Sequence, residues 1–478
     1  MRKPQRKSKA RGSRAHGSKI HGSKIHGSNE RGSRAHGVPP GLAARWLAVH
    51  LVAGVLIDER PLEQVLAECS ARPQLAAMAP RDRALARAVA GSALRRQGEL
   101  EHVLNAFLER PLPANKGRLW PILLTGAAQL VCLGMPAHAV VDLAVETTRR
   151  DRGAHRFAGL VNAVLRRVAE RGPELLSGVD GTHLNIPDWL WQRWSGTYGT
   201  EVARRIAQAS LGEAALDLSV KPGGDSPATW AQRLGGRALS TGSVRLVHHG
   251  RIEDLAGYAE GAWWVQDAAA ALVTGCAGDV AGKSVADLCA APGGKTAALA
   301  AAGATVTAVD LSAARLDRLC RNLARLRLAA DVVTADVAAW SPGRTFDVVV
   351  LDAPCTATGT IRRHPDILRL KRPADVARMA ELQRAMLART ACLVCPQGLI
   401  VYGTCSLEPE EGRLQIADFL ATRTDFERVP IAAAEIGAEP EWITAQGELR
   451  TLPYYLQQET PELSGLDGFY VARLRRKA

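Results

Sequence analysis

The sequence predicts a multidomain protein with an all-α N-terminal domain, a small α/β linking subdomain and a C-terminal doubly wound α/β domain. Three observations predict this class. At 478 residues the chain is longer than one hydrophobic core usually organises. Apolar residues recur at three- and four-residue spacing from Pro39 to about Arg171, which is typical of helices. Beyond residue 264, β-branched apolar runs alternate with helical or turn segments, which is typical of a parallel sheet covered by helices.

Residues 1–37 form a basic repeat that we predict to be disordered. They carry 11 Lys and Arg side chains against the single acid Glu30, and so supply +10 of the net charge of +13. A five-residue pattern of Gly and Ser runs from Arg11 to Gly37 and offers almost nothing apolar to bury. Two interpretations stay open: a solvated extension, or a weak, salt-sensitive contact with phosphate groups.

Residues 38–172 are predicted to form the all-α domain. The segments RWLAVHLVAGVL and VVDLAVETTRR have helical spacing, and the last helix is predicted to end at Gly172 and Pro173. Residues 173–264 are predicted to form a linker and a small α/β subdomain, starting with a loop-rich stretch up to Pro187. The tryptophans of DWLWQRW, which follow this stretch, are expected to pack in a core.

Residues 265–478 are predicted to form the doubly wound domain around five parallel strands. The runs KSVADLC, ATVTAVD, ADVVTAD, FDVVVLD and GLIVYGTC supply these strands. In sheets of this kind, ligands bind at the carboxyl ends of the strands. The chemistry is therefore expected just past Asp287, Asp310, Asp336, Asp352 and Thr404.

The segment DLCAAPGGKT closes the first strand and predicts a ligand-binding loop. Gly293 and Gly294 allow a ligand to approach the backbone closely, and a helix follows at once. A Walker A loop requires glycine where Cys289 stands, and the dinucleotide pattern G-x-G-x-x-G is absent from this segment. The remaining interpretation is an S-adenosylmethionine loop formed by Cys289, Ala290, Ala291, Pro292, Gly293, Gly294 and Lys295.

Carboxylates at the ends of successive strands extend this predicted cofactor site. Asp310 ends the second strand, where the acid of nucleotide-binding sheets accepts ribose hydroxyls. Asp336 ends the third strand and is expected on the adenine side of the cofactor. One such carboxylate often serves as an Asx turn or a helix cap, but three in successive strands favour a ligand site.

Two cysteines lie in matching turns after the fourth and fifth strands, Cys355 in DAPC and Cys405 in YGTCS. A thiolate that adds to carbon 6 of cytosine lets carbon 5 accept a methyl group from a sulfonium, after which a base removes the carbon 5 proton and the thiol leaves. Both turns precede helices, where thiol pKa values are expected to fall, so the residues alone do not identify the nucleophile. Asp352, if protonated, is placed to hydrogen bond to ring nitrogen 3.

The segments AAPGGKT, DAPC with RRHPD, and YGTCS together resemble the Sun/Fmu family of RNA 5-methylcytosine methyltransferases. The resemblance implies that Cys405 attacks, that Cys355 assists product release, and that residues 289–295, Asp310, Asp336 and Asp352 surround S-adenosylmethionine. It implies a Rossmann-like class I methyltransferase domain at 265–478. The sequence departs mildly from the family at Thr356, where serine is usual.

The segment from PILLTGAAQL to VNAVLRR resembles the helical fold of NusB, which binds RNA or partner proteins. A NusB-like RNA-binding domain fused to this core implies the RsmB-type members of the family, whose target is cytosine 967 of 16S ribosomal RNA. The resemblance thus implies an enzyme that acts on ribosomal RNA free of or poor in ribosomal proteins. Two alternatives stay open: the same chemistry on transfer RNA, and a non-catalytic RNA-binding assembly factor.

The remaining predictions concern RNA contacts, metal binding, localisation and oligomeric state. Arg362, Arg363 and His364 follow the first cysteine turn and are expected to contact RNA. No metal site is expected, because the CxxC of Cys392 and Cys395 lacks a second pair at zinc spacing. We expect a cytoplasmic monomer without a membrane segment.

Overall fold

The structure is a computed structural model that describes residues 41–72, 78–113, 116–247 and 250–478. The tail predicted at residues 1–37 lies outside the described residues. Helices fill the described chain up to residue 210: α1 (Leu42–Leu56), α2 (Leu62–Ser70), α3 (Pro80–Arg95), α4 (Gln97–Asn105), α5 (Leu119–Ala127), α6 (Ala137–Arg150), α7 (Ala158–Leu176), α8 (Gly181–Asn185), α9 (Asp188–Tyr198) and α10 (Thr200–Ser210). Helix α1 is central to their shared core, since 10 of its 15 residues are buried.

Helix α7 does not end at Gly172 and Pro173, as the sequence predicted, but continues to Leu176 with the proline inside it. Gly172 is buried in a tight contact, and a Cβ there would lie 3.1 Å from Val131 and 3.5 Å from Val103. This packing against neighbouring elements stabilises the final turn, so tertiary contacts override the local stop signal.

The stretch predicted to be loop-rich, residues 173–187, contains helix α8. Asp180 caps this helix, because its carboxylate accepts hydrogen bonds from the N–H groups of Thr182 and His183. Helices α9 and α10 follow and pack against each other. Trp194 of α9 is fully buried in a core with Leu407 of the C-terminal domain, which confirms the packing role predicted for this tryptophan.

A small antiparallel sheet with strand order β2-β3-β1-β4 connects the helices to the C-terminal domain. Its elements are β1 (Leu216–Val220), α11 (Pro227–Leu234), β2 (Arg237–Ala238), β3 (Ser243–Leu246) and β4 (Trp263–Val265). Trp230 and Trp263 fill the core beside this sheet, together with Leu218 and Val244.

The C-terminal domain is built on a second, larger sheet with helices on both faces. Its elements are α12 (Ala268–Gly275), β5 (Ser284–Leu288), α13 (Gly294–Ala301), β6 (Thr305–Asp310), α14 (Ala313–Leu326), β7 (Asp331–Thr334), β8 (Phe346–Asp352), α15 (Ile367–Leu370), α16 (Pro373–Leu393), β9 (Val394–Thr404), α17 (Arg413–Thr422), β10 (Phe426–Arg428), α18 (Ala433–Ile436), β11 (Leu449–Arg450) and β12 (Tyr470–Arg476). The strand order is β10-β12-β9-β8-β5-β6-β7, and β11 pairs with β12.

The five predicted strands, β5 to β9, form the parallel part of this sheet, and the doubly wound fold is confirmed. Strands β10, β11 and β12 add an antiparallel edge that the sequence did not predict. Strand β7 ends at Thr334, two residues before the predicted Asp336. Among the described residues, no helix combines the length and apolar character needed to cross a bilayer.

Candidate active site

The two cysteine turns meet at the carboxyl edge of the parallel sheet. Strands β8 and β9 are neighbours, and Asp352 at the end of β8 pairs in register with Gly403 near the end of β9. Cys355 and Cys405 each follow one of these strands, and their sulfur atoms lie 3.3 Å apart. Both thiols are free and partly exposed. The structure thus brings the two predicted catalytic cysteines into direct contact.

Cys355 is held in an environment that favours its thiol form. The hydrogen bond with Cys405, then burial, then the neighbouring negative charges of Cys405 and Glu411 raise the pKa of Cys355 well above its ordinary value. The expectation that its turn lowers this pKa is therefore wrong. The 3₁₀ turn after Cys355, at Thr358–Thr360, is too short to offset burial.

Lys295 and Asp352 form an ion pair beside the cysteines. The Lys295 ammonium donates a hydrogen bond to the Asp352 carboxylate at 2.7 Å, and both side chains are largely shielded from solvent. Burial lowers the pKa of Lys295, but the charge and hydrogen bond of Asp352 outweigh it and raise this pKa overall. The Asp352 carboxylate, which the sequence predicted to meet ring nitrogen 3, thus already has the Lys295 ammonium as a partner. The charges of Asp287 and Cys405 add smaller contributions that also raise the pKa of Lys295.

The glycine loop lies between β5 and α13, as predicted. Gly293 has a φ of 104°, and a Cβ there would lie 2.8 Å from the Leu319 side chain. The N–H of Ala290 donates to the Val309 carbonyl at 3.0 Å, and the N–H of Ala291 donates to the Asp310 carboxylate at 3.1 Å. These bonds to β6 fix the loop against the sheet. Burial, reinforced by nearby carboxylates, raises the pKa of Cys289, so this third cysteine is kept as a thiol.

The two predicted cofactor carboxylates, Asp310 and Asp336, differ in the hydrogen bonds and ion pairs that they already make within the protein. Asp310 is buried, accepts hydrogen bonds from the N–H groups of Ala291 and Ser312, and pairs with Arg315 at 3.3 Å. Asp336 is exposed two residues beyond β7, and its carboxylate accepts the N–H of Ala338 at 2.9 Å. Asp336 therefore has the Asx-turn geometry that sequence reasoning weighed as the simpler alternative, while remaining open to a ligand.

Asp287 is a further polar group close to the glycine loop. The sequence marked it only as the end of a strand. It is fully buried, and one oxygen accepts the Thr296 hydroxyl at 2.6 Å. Its second oxygen has no hydrogen-bond partner in the described part of the chain. Burial raises the pKa of Asp287 to about 7. An orphaned buried oxygen below a positive-φ glycine turn fits a polar ligand such as the amino acid end of S-adenosylmethionine.

Arg362 and Arg363 do not form the RNA-facing loop that the sequence predicted. The Arg362 side chain is buried and lies 3.4 Å from Asp467, while Arg363 pairs with Asp267 at 2.6 Å and with Asp467 at 3.0 Å. A third pair, Arg245 with Asp217, adjoins them at 2.7 Å. Three carboxylates thus balance three guanidinium groups inside the protein, which leaves neither predicted arginine placed to meet a phosphate. His364 is half-buried next to them.

Glu411 is a residue that sequence reasoning missed. Its carboxylate is fully buried behind the cysteine turns and accepts hydrogen bonds from the N–H and the hydroxyl of Thr356, both at 3.0 Å. The stretch EPEEG resembles an acidic surface turn, and its position six residues after Cys405 was the one available signal.

Comparisons with known proteins agree with this architecture. The family model described as 16S rRNA methyltransferase RsmB/F matches residues 279–475, and the NusB family model matches residues 42–170. The fold and the site therefore define a doubly wound methyltransferase joined to a NusB-like helical domain.

Curated relatives extend the match over most of the chain. The ribosomal RNA small subunit methyltransferase B of Xanthomonas campestris pv. campestris is 36% identical over 409 residues, which cover 82% of this chain and 91% of the relative. The protein of the same name from Vibrio cholerae serotype O1 is also 36% identical, over 83% of this chain and 90% of its own length. The chain belongs to this family of methyltransferases and is an RNA methyltransferase.

A solved structure shows the same fold over nearly the whole chain. The crystal structure of PH0851 superposes with a TM-score of 0.71 and covers 92% of this chain and 99% of its own, at 21% sequence identity. At this identity the likeness supports the arrangement of elements and nothing finer.

Proposed function

We propose that this protein forms 5-methylcytosine in 16S ribosomal RNA, at the family target cytosine 967, through a transient bond between Cys405 and carbon 6 of the base. The observation that carries the proposal is the contact between Cys355 and Cys405, 3.3 Å apart at the ends of adjacent parallel strands. Two thiols at this edge of a methyltransferase sheet suit a reaction that needs one sulfur to attack and a second group to help it leave.

The surroundings of the two cysteines support different roles for them in this proposal. The raised pKa of Cys355 disfavours its thiolate, so Cys405 is the sulfur proposed to attack, as the family resemblance also implies. Attack by the Cys405 sulfur on carbon 6 makes carbon 5 nucleophilic. After carbon 5 has been methylated, its proton passes to a base in the site or to water, the ring double bond re-forms, and the sulfur–carbon bond breaks so that Cys405 leaves as the thiolate. Cys355, in contact with that sulfur, is placed to assist this release.

The residues around the glycine loop fit S-adenosylmethionine as the methyl donor. When bound, its sulfonium supplies an electrophilic methyl group. The loop 289–295 would hold its amino acid end near Asp287, while Asp310 ends β6 and Asp336 follows β7 by two residues. Asp310 would need to share its carboxylate between the loop, Arg315 and the ribose hydroxyls.

The Lys295–Asp352 pair has a role toward the base in this proposal. It joins Lys295, the last residue of the glycine loop, to Asp352, three residues before Cys355, and the target cytosine is proposed to bind beside it. A fixed ammonium and a fixed carboxylate orient polar ring edges without needing to reorganise during the reaction. The base must leave its stack to reach them, so ribosomal RNA poor in proteins is the expected substrate.

The test compares purified RNAs with labelled S-adenosylmethionine. Protein-free 16S ribosomal RNA should accept label from the full-length protein, and bisulfite sequencing should place 5-methylcytosine at cytosine 967. Label on transfer RNA alone would support the rival substrate. RNA retention without any methyl transfer would indicate an assembly factor and would overturn the proposal.

A further inference from the structure

Glu411 links the two cysteine turns from behind. It ends the 3₁₀ turn Pro409–Glu411, which follows Cys405. Its carboxylate accepts hydrogen bonds from the backbone and hydroxyl of Thr356, and the Ser406 hydroxyl also hydrogen bonds to it. Thr356 and Ser406 are the residues that follow Cys355 and Cys405, so one carboxylate binds both turns.

Other hydrogen bonds fix Glu411 itself. Its backbone carbonyl accepts the Tyr402 hydroxyl at 2.9 Å and the Thr404 hydroxyl at 3.2 Å, which ties it to the end of β9. The hydroxyl oxygens of Thr356 and Ser406 lie 3.1 Å apart. The network is buried throughout, so water does not compete for these bonds.

We propose that Glu411 is a positioning residue that holds the two cysteine turns in register and so keeps the two sulfur atoms in contact. This inference rests on the proposed function, since it assumes that both cysteines take part in the reaction. A small displacement of either turn would separate the attacking sulfur from its release partner, and errors of about 1 Å in such geometry can cost about 100-fold in rate.

The negative charge of Glu411 also acts on the neighbouring thiol of Cys355. It adds to the hydrogen bond with Cys405 and to burial in raising the pKa of Cys355. The other titratable or charged groups that face this network are Cys405, Glu408, Tyr402 and Arg450, and burial raises the pKa of Glu411 to about 7. Above that pH the ionised carboxylate keeps Cys355 as a thiol while the turns stay bonded.

The first experiment replaces Glu411 by glutamine in the full-length protein, with Glu410→Gln as the matched control. Glu410 is the preceding residue, and its carboxylate pairs with Arg193 at 2.6 Å instead of with the cysteine turns. Glu411→Gln should lower kcat about 10- to 100-fold and leave the KM values for RNA and S-adenosylmethionine within about twofold. Glu410→Gln should keep kcat within about twofold of wild type.

The second experiment tests the contact at Thr356. Thr356→Ser keeps the hydroxyl and should keep most of the activity, whereas Thr356→Val removes it and should reproduce the kcat loss of Glu411→Gln. A wild-type kcat for Glu411→Gln, or equal losses in the serine and valine variants, would overturn the assignment.

The third measurement does not depend on turnover. In a Cys405→Ser background, the rate at which iodoacetamide alkylates Cys355 is followed against pH, with Glu411 and with Glu411→Gln. The glutamine should shift the alkylation midpoint of Cys355 to lower pH, because a negative charge near the thiolate is lost. An unshifted midpoint contradicts the inference. If wild type transfers no methyl group, the proposed function fails separately, and this measurement still reports on Glu411.

Discussion

Cys355 and Cys405 occupy matching turns but have different electrostatic surroundings. Cys355 is partly exposed, is hydrogen bonded to its partner sulfur, and has its pKa raised in part by the charge of Glu411, whereas Cys405 contributes to the raised pKa of Lys295. Which of the two sulfur atoms attacks is a proposal, and the two alanine variants below test it.

Replacing the attacking sulfur should stop the reaction. Cys405→Ala is expected to reduce methyl transfer to RNA to below about 1% of wild type, because no other group forms the bond to carbon 6. The measurement is incorporation of labelled methyl groups into 16S ribosomal RNA. Cys392→Ala, at an exposed cysteine of α16, is the control and should retain full activity. An active Cys405→Ala protein would refute the assignment.

Replacing the release residue should have a different result. Cys355→Ala is expected to leave RNA covalently attached to the enzyme, because attack and methylation proceed while release is slowed. The adduct should appear as a slow-migrating band on a denaturing gel after incubation with RNA and S-adenosylmethionine. If the band came from the Cys405 variant instead, the two roles would be reversed.

For the individual residues of the site, the sequence predicted that the two cysteines meet. It did not predict which side chains lie around them. Adjacent parallel strands bring their carboxyl ends together, so two strand-end cysteines are expected to be close. Side-chain partners depend on loop geometry and rotamers, which leave no local pattern. For this reason the sequence did not predict the Lys295–Asp352 pair, the role proposed for Glu411 or the burial of Arg362.

Among the elements, the glycine loop between β5 and α13 shapes the predicted cofactor site. Gly293 adopts a positive φ that residues with a Cβ rarely tolerate, and it packs directly on Leu319 of α14. Its φ and this contact both require glycine at this position of the loop.

A side chain at Gly293 should therefore weaken cofactor binding. Gly293→Ala is expected to reduce affinity for S-adenosylhomocysteine about 10-fold or more, because the added Cβ strains the turn and displaces α14. Isothermal titration with S-adenosylhomocysteine measures this effect. Gly224→Ala is the control, since a Cβ there meets no atom within 4 Å. Equal affinities in the two variants would contradict the role given to the loop.

The sequence predicted the helices and strands well where their apolar pattern is long or rich in β-branched residues. The five parallel strands are rich in valine and other apolar residues, and the sequence placed all of them. The continuation of α7 through Pro173 was missed because Gly172 is stabilised by contacts from distant residues. The antiparallel strands β10 and β11 are two or three residues long, too short to show a period.

At the scale of the whole molecule, the helical domain contacts the segment that follows the Cys355 turn. The Arg95 guanidinium of α3 donates a hydrogen bond to the Arg362 carbonyl at 3.0 Å. The N–H of Leu62 donates to the Asp366 carboxylate at 3.1 Å, and Arg369 donates to the Asn185 carbonyl at 3.0 Å. The NusB-like domain is thus part of the packing around the active site.

Removing one of these contacts should lower the stability of the folded protein. Arg95→Met is expected to lower the free energy of unfolding by about 1–3 kcal/mol, because it leaves the buried Arg362 carbonyl without that donor. Thermal unfolding measures the loss. Arg87→Met, at an exposed residue paired with Glu63, should cost less than about 1 kcal/mol. Similar losses for the two variants would show that the contact adds nothing.

The basic residues 1–37 are expected to act on RNA affinity alone. Their removal should weaken RNA binding mainly at low salt, because +10 of charge then no longer meets phosphates, and it should leave kcat at saturating RNA unchanged. Binding titrations at two salt concentrations and a turnover assay measure both quantities. An equal loss of kcat would assign the segment a part in the chemical step.

The most direct test of the account identifies the sulfur that bonds to RNA. The Cys355→Ala protein is incubated with 16S ribosomal RNA and S-adenosylmethionine, digested with nuclease and protease, and analysed by mass spectrometry. The account predicts a methylated cytidine nucleotide attached to the peptide that contains Cys405. A nucleotide on any other cysteine, or none on a protein that still methylates RNA, would contradict it.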